Sequence, residues 1–160
     1  MLPRLFVWGD NMSENILSIR DLRTYFFSDN GIVKAVDGVN IDLRKGTTLG
    51  IVGESGSGKS VTALSIMHLL FGTKGKIVGG QIVLDGKDIV HIGEAEQRKL
   101  RGSEIAMIFQ EPMTSLNPVL KIGDQIMEAI MLHLKLNKSE AKAKAIDILK
   151  KTGISRAESL

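Results

Sequence analysis

The alternation of apolar and polar positions predicts antiparallel strands in the first part of the chain. Residues 16–20 and 36–43 carry apolar side chains at alternate positions, and the turn-rich segment 28–31 separates them. Residues 81–84 predict a further strand, which the turn pair at 85–86 closes. The front of the chain is therefore expected to form an antiparallel strand layer.

Two short apolar runs and one longer one follow a different pattern. Residues 49–52 and 105–109 are apolar, so they predict strands buried on both faces. Residues 59–71 spread apolar side chains round most of a helix, and Gly72 is placed to end it. Strands and a buried helix together favour a mixed α/β core.

The rear of the chain, beyond Pro118, has a helical pattern. Asn137 followed by Glu140 is typical of a capping box. The second helix of this rear region is therefore predicted from Asn137 to about Gly153. The lysines in this region are interpreted as the solvated face of that helix.

Composition excludes several classes of function. The chain has 160 residues, 43% of them hydrophobic and 24% charged, which is typical of a single globular domain. Its 21 basic and 18 acidic residues give a net charge of +3, and no basic patch with interleaved aromatic residues marks a nucleic-acid site. The absence of cysteine excludes disulfides, thiolate metal sites and thiol catalysis.

The opening residues do not have the pattern of a targeting segment. The apolar run at 1–8 is shorter than a secretory core and lacks a small-residue cleavage site. No run approaches the roughly 18 to 20 apolar residues of a membrane-spanning helix, so a soluble protein is expected. Met12 resembles an ordinary start, so residues 1–11 are interpreted as an upstream extension and the start, Met1 or Met12, stays open.

Residues 53–60 match the phosphate-loop pattern G-x-x-x-x-G-K-[ST] in full. The eight positions are Gly53, Glu54, Ser55, Gly56, Ser57, Gly58, Lys59 and Ser60. Glycines let backbone N–H groups point at phosphates, and the start of a helix adds a favourable dipole. Lys59 would reach the β- and γ-phosphates, and Ser60 would offer its hydroxyl to Mg²⁺. The spacing differs from the dinucleotide fingerprint, so a nucleoside triphosphate with Mg²⁺ is predicted rather than NAD or FAD.

Three stretches resemble the ATP-binding subunits of ABC transporters, from about residue 16 onward. The most specific is IAMIFQEPMTSLNP at 105–118, which is similar to the Q-loop region of the oligopeptide and dipeptide importer subfamily. GESGSGKSVTALSIMHLL at 53–70 and GGQIVLDGKDI at 79–89 agree with it. The resemblance implies an ATPase that uses ATP and Mg²⁺ to drive peptide import.

The resemblance also implies roles for residues outside the loop. It makes Gln110 the glutamine whose amide reaches Mg²⁺ and the attacking water, a role that an uncharged donor and acceptor can fill. It makes Phe26 the aromatic residue that stacks on adenine, with Tyr25 and Phe27 as close rivals. Val61 departs from the hydroxyl residue common in ABC proteins, so one side-chain contact to the α-phosphate is expected to be missing.

Several family elements do not occur within the 160 residues. The Leu-Ser-Gly-Gly signature, the acidic strand end with its catalytic glutamate and the switch histidine are absent from the sequence, so no complete catalytic set is assigned. His68, His91 and His133 are interpreted as structural or surface histidines. The chain is therefore expected to be truncated and not to hydrolyse ATP at the rate of a complete subunit.

The sequence as a whole predicts an α/β fold, a P-loop NTPase core of the ABC ATPase type with an antiparallel strand subdomain and a partial helical subdomain. Residues 12–160 would form a partial nucleotide-binding domain, with the strand layer and core at 12–110 and the Q-loop and first helices at 111–160. The resemblance implies transmembrane permease subunits and a second ATP-binding subunit, identical or different, as partners. It places the protein in the cytoplasm at the inner face of the membrane. A non-hydrolysing ATP-binding remnant, or another P-loop enzyme such as a kinase, remains the alternative.

Overall fold

The computed structural model describes residues 15–70, 72–111 and 115–159, which fold as two compact units. The first unit ends at Arg101 and the second begins at Gly102. An antiparallel sheet forms the centre of the first unit, and helices form the second. The predicted extension at 1–11 lies outside the described residues, and the predicted division at 110/111 stays a prediction.

The sheet of the first unit confirms the predicted antiparallel layer. Its strands are β1 (Asn15–Ser28), β2 (Gly31–Arg44), β3 (Gly75–Leu84) and β4 (Lys87–Asp88). The spatial order is β2-β1-β3-β4, and each neighbouring pair is antiparallel. Ile19, Leu22 and Ile82 of this sheet are fully buried. The first two strands are longer than their apolar positions predicted, because backbone pairing continues through exposed polar residues.

Strand β1 changes register close to Asp21 in both of its pairings. In the pairing with β2 the register shift lies between Ile19 and Leu22, and in the pairing with β3 it lies between Arg20 and Arg23. Asp21 has a φ of 47° and Gly80 of β3 a φ of 92°, both in the left-handed region. A Cβ atom on Gly80 would lie 2.4 Å from the Asp21 carbonyl oxygen, so only glycine fits this crossing.

Helix α1 (Lys59–Ile66) begins inside the predicted phosphate loop and ends earlier than predicted. The sequence predicted a helix over residues 59–71, of which residue 71 lies outside the described part. His68 takes a left-handed φ of 52°, and the Leu69 N–H donates to the Leu64 carbonyl at 2.9 Å. This reversal closes the helix, so the prediction of its end was wrong.

Arg101 and His68 account for the early end of α1. The Arg101 guanidinium donates to the carbonyl oxygens of Met67 and His68 at 3.2 and 3.4 Å, where the negative end of the helix dipole lies. Burial lowers the pKa of His68 below its ordinary value, and its Nε2 has no hydrogen-bond partner in the described structure. His68 therefore has the surroundings of a structural residue.

Two segments predicted as buried strands are not strands. Residues 49–52 and 105–109 lie outside the sheet, and Ile105 forms only an isolated bridge. Val52 and Ile108 are 95% and 92% exposed. A strand buried on both faces needs a partner at each edge to satisfy its N–H and C=O groups. None of the described strands pairs with either segment, so neither adopts the predicted form.

The remaining α-helices are α2 (Glu94–Leu100) in the first unit, and α3 (Ile122–Leu134) and α4 (Lys138–Lys151) in the second. A short 3-10 helix spans Ala157–Ser159. The Asn137 side chain accepts from the backbone N–H groups of Ser139 and Glu140, and the Glu140 carboxylate accepts from the Asn137 N–H, which confirms the predicted capping box. Met127, Ile130, Ala141 and Ala145 form the core between α3 and α4. Among the described residues no helix has the length and apolar character needed to cross a bilayer.

Candidate functional site

The glycines of residues 53–60 occupy places that a residue with a side chain would fit poorly. Gly56 and Gly58 have φ values of 81° and 90°. A Cβ atom on Gly58 would lie 2.4 Å from the carbonyl oxygen of Ala35 in β2, and one on Gly53 would lie 2.8 Å from Ser57 Oγ. The loop therefore packs its backbone against β2 at Gly58, while residues 53–57 stay exposed.

Lys59 is the centre of the loop. Its Nζ donates to the carbonyl oxygens of Gly53 and Glu54 at 2.7 and 2.8 Å and to Ser57 Oγ at 3.2 Å. These three bonds use the three protons of the ammonium group and curl the loop round it. A phosphate oxygen that entered the loop would replace one of these three acceptors and accept a hydrogen bond from a positive charge already held in place.

The start of α1 is suited to an anion. No side chain caps the helix at Gly58, and its first turn contains no acidic residue. The first N–H groups and the positive end of the helix dipole are therefore not offset by a carboxylate. Ser60 lies exposed in this turn, so its hydroxyl is accessible to a ligand.

The donor set of the site fits Mg²⁺ better than a metal held by protein alone. Within residues 15–70, 72–111 and 115–159, no group of three or more His, Cys, Asp or Glu side chains could hold a metal ion. Mg²⁺ keeps several waters and commonly takes one or two protein ligands together with phosphate oxygens. The Ser60 hydroxyl beside a phosphate-binding helix end matches that requirement.

Phe26 lies on the face of β1 that packs against α1. It shares this face with Thr24, because the two residues are two positions apart in β1 and no register shift interrupts their pairing with β3. The Thr24 hydroxyl is 2.8 Å from that of Ser65 in α1. A Cβ atom on Gly75 would lie 2.7 Å from the Phe26 ring, so a side chain at this position would collide with the ring. The Phe26 ring thus lies on the side of the sheet that packs against α1.

The two rivals of Phe26 lie on the opposite face of β1. The Tyr25 hydroxyl donates to Asp37 Oδ1 at 2.7 Å, and Lys34 lies 5.4 Å from the centre of the Tyr25 ring. The hydrogen bond from Tyr25 lowers the pKa of Asp37 below its ordinary value. Phe27 is 38% exposed. These contacts favour Phe26 as the base-stacking residue, which stays a prediction.

The other two predicted site residues lie in different units. Val61 is half-buried in the first turn of α1 and has no side-chain hydroxyl, so only its backbone is available to phosphate. Gln110 is an exposed residue of the second unit. The first unit therefore brings together the loop, Ser60, Val61 and the α1-facing side of β1, and the role of Gln110 stays a prediction.

Two contacts of the site were missed by reasoning from sequence. One is the packing of Gly58 against Ala35, and the other is the hydroxyl pair of Thr24 and Ser65. A serine among the apolar residues of a buried helix is a usable signal, because a buried hydroxyl requires a partner. The identity of that partner could not be read from the sequence.

Taken together, the curled loop, its fixed lysine and the uncapped helix start define a phosphate-binding site of the P-loop class. Residues 36–159 match the family model described as ABC transporter. The chain therefore belongs to the ABC transporter family.

Curated relatives of the chain are ATP-binding proteins of peptide transport. The oligopeptide transport ATP-binding protein AppD of Bacillus subtilis is 50% identical over 145 residues, which are 91% of this chain and 44% of that protein. The dipeptide transport ATP-binding protein DppD of Bacillus subtilis is 46% identical over 88% of this chain and 42% of its own length. The oligopeptide transport ATP-binding protein OppD of Escherichia coli is 47% identical over 88% of this chain and 41% of its own length. The chain spans less than half of each.

Solved structures show the same fold. A dimeric post-hydrolysis state of the ATP-binding cassette MJ0796, bound to ADP and Pi, is similar with a TM-score of 0.75 and 22% identity, over 88% of this chain and 58% of that one. The helices and antiparallel sheet of this chain thus belong to the α/β ABC ATPase fold, as predicted.

Proposed function

We propose that this chain is the nucleotide-binding part of the ATP-binding subunit of a peptide-importing ABC transporter. The observation that carries the proposal is the loop at 53–60, in which three hydrogen bonds hold the Lys59 ammonium at an uncapped helix start. The three curated relatives that support peptide as the cargo are between 46% and 50% identical to this chain.

Each part of Mg-ATP would be held by a different group of the chain. The backbone N–H groups of the loop and of Val61 would bind the phosphates, with Lys59 at the terminal ones. Ser60 would ligate Mg²⁺, which when bound neutralises charge on the β- and γ-phosphates. Phe26 would stack on adenine.

The partners of such a subunit would be transmembrane permease subunits and a second ATP-binding subunit, identical or different. Support comes from the dimeric state of the similar cassette structure and from the transport proteins among the relatives. The second unit also exposes apolar side chains, with Val119 88%, Leu120 53% and Leu132 72% exposed, that contact with a protein would cover. The subunit would then lie at the inner face of the membrane.

Replacement of Phe26 by alanine is expected to raise the Kd for Mg-ATP about tenfold, because stacking on a base contributes roughly 1 to 3 kcal/mol. Titration with a fluorescent ATP analogue and competition with Mg-ATP measures it. Tyr25→Ala is the matched control, since Tyr25 lies on the other face and bonds Asp37. A loss of affinity in the Tyr25 variant alone would mean that the base binds on the opposite face.

The import function predicts that residues 15–159 can replace the matching part of a relative. A chimaera with the remainder of AppD of Bacillus subtilis, which is 50% identical over the shared part, is expected to restore labelled oligopeptide uptake in cells lacking AppD and other peptide importers. The same chimaera with Lys59→Ala is the control and should give background uptake. A chimaera that binds Mg-ATP but gives only background uptake would contradict peptide import as the function.

A further inference from the structure

A buried pair of hydroxyl groups joins strand β1 to helix α1. Thr24 Oγ1 and Ser65 Oγ lie 2.8 Å apart, 41 residues apart in sequence, and both residues are 0% exposed. Buried hydroxyl groups are costly unless paired, and here each finds a partner in the other.

The direction of this hydrogen bond follows from the number of protons. Ser65 has one hydroxyl proton, and it donates that proton to the Val61 carbonyl at 2.7 Å. Thr24 must therefore donate to Ser65. The result is a continuous relay from Thr24 through Ser65 to the backbone of Val61.

The two ends of the relay lie beside the two halves of the candidate nucleotide site. Thr24 precedes Phe26 by two residues and shares its face of β1, while Val61 directly follows Ser60. We propose that Thr24 and Ser65 are positioning residues that fix the spacing between the base-stacking ring and the phosphate loop. This role rests on the proposed function, since it requires a ligand with a base at one end and phosphates at the other.

Distance explains why hydroxyl groups suit this place. Two oxygens in a hydrogen bond approach to about 2.8 Å, whereas two carbon atoms in contact stay roughly 3.5 to 4 Å apart. An apolar pair would hold β1 and α1 further apart. The ring and the loop would then no longer match the length of one nucleotide as closely, although each could still bind its own part.

The test compares two ligands in the 160-residue chain. Thr24→Val removes the hydroxyl and keeps the shape of the side chain. We expect it to raise the Kd for Mg-ATP about fivefold, or about 1 kcal/mol, the usual net contribution of one hydrogen bond. The Kd for Mg-tripolyphosphate, which occupies the loop alone, should change by less than about twofold. Competition against a fluorescent ATP analogue measures both.

Matched variants separate positioning from stability. Thr24→Ser keeps the donor and should retain parental affinity for both ligands. Ser18→Ala removes another buried hydroxyl of β1, one that donates to Asp42 at 2.8 Å, and should alter neither affinity. Ser65→Ala breaks both bonds of the relay and should reproduce the selective loss for Mg-ATP. It decides the question if circular dichroism shows that Thr24→Val is unfolded.

Two outcomes would overturn the positioning role while leaving the proposed function in place. One is an equal loss of affinity for Mg-ATP and Mg-tripolyphosphate, which would show that the pair only stabilises the loop helix. The other is unchanged affinity for both ligands in Thr24→Val and Ser65→Ala. A parent chain that binds neither ligand would instead remove the proposed function and the positioning role with it.

Discussion

Lys59→Ala is expected to weaken Mg-ATP binding about 100-fold, since a hydrogen bond to a charged group contributes roughly 1.5 to 3 kcal/mol. The ammonium group is held by Gly53, Glu54 and Ser57 at 2.7, 2.8 and 3.2 Å, so its charge is already in place when phosphate arrives. Its removal takes away both a cation for the terminal phosphates and the group round which the loop curls. Titration with a fluorescent nucleotide measures the change.

Lys45→Ala is the matched control for the loss of one positive charge. Lys45 is exposed and pairs with Asp85 at 2.8 Å in the same unit. An exposed ion pair contributes little, so nucleotide affinity should change by less than about twofold. If Lys59→Ala bound Mg-ATP as tightly as the parent does, Lys59 would have no part in phosphate binding.

Gly58→Ala is expected to destabilise the first unit by about 3 kcal/mol and to abolish nucleotide binding. Its Cβ atom would lie 2.4 Å from the Ala35 carbonyl oxygen, and its φ of 90° is one that alanine rarely adopts. Either the loop leaves β2 or the strand moves, and both changes disrupt the backbone cradle. Urea unfolding followed by circular dichroism gives the stability, and the same titration gives the affinity.

Gly46→Ala separates backbone strain from the clash. Gly46 also has a positive φ, of 72°, but a Cβ atom there would meet nothing within 4 Å. It should lose about 1 to 2 kcal/mol of stability through strain alone and keep its affinity for nucleotide. Equal losses in both variants would show that contact with Ala35 does not hold the loop.

Features set by neighbouring residues could be predicted from the sequence. The capping box at Asn137 and Glu140 depends on a spacing of three residues, and the phosphate loop depends on eight consecutive positions. The hairpin of β1 and β2 needed only alternating apolar positions and a turn between them.

Features set by distant residues could not be predicted in this way. Helix α1 ends where it does partly because Arg101, 33 residues beyond His68, binds the carbonyl groups there. Residues 49–52 are apolar enough for a buried strand, but a strand forms only where a partner pairs with it. The face of β1 on which each aromatic residue lies depended on its pairing with β3, so the sequence left Phe26, Tyr25 and Phe27 open.

The irregular crossing at Asp21 and Gly80 also protects the chain against misalignment. Side chains alternate along a strand, so a slip of β1 by one residue would turn Tyr25 toward α1 and Phe26 away from it. The left-handed backbone at Asp21 fits against Gly80, where any other residue would collide with the strand. A slip of β1 against β3 would move Asp21 away from Gly80, and the two strands would lose this fit. The register shift at Asp21 thus favours one alignment of β1 with β3. It thereby keeps the Phe26 ring on the side of the sheet that faces the phosphate loop.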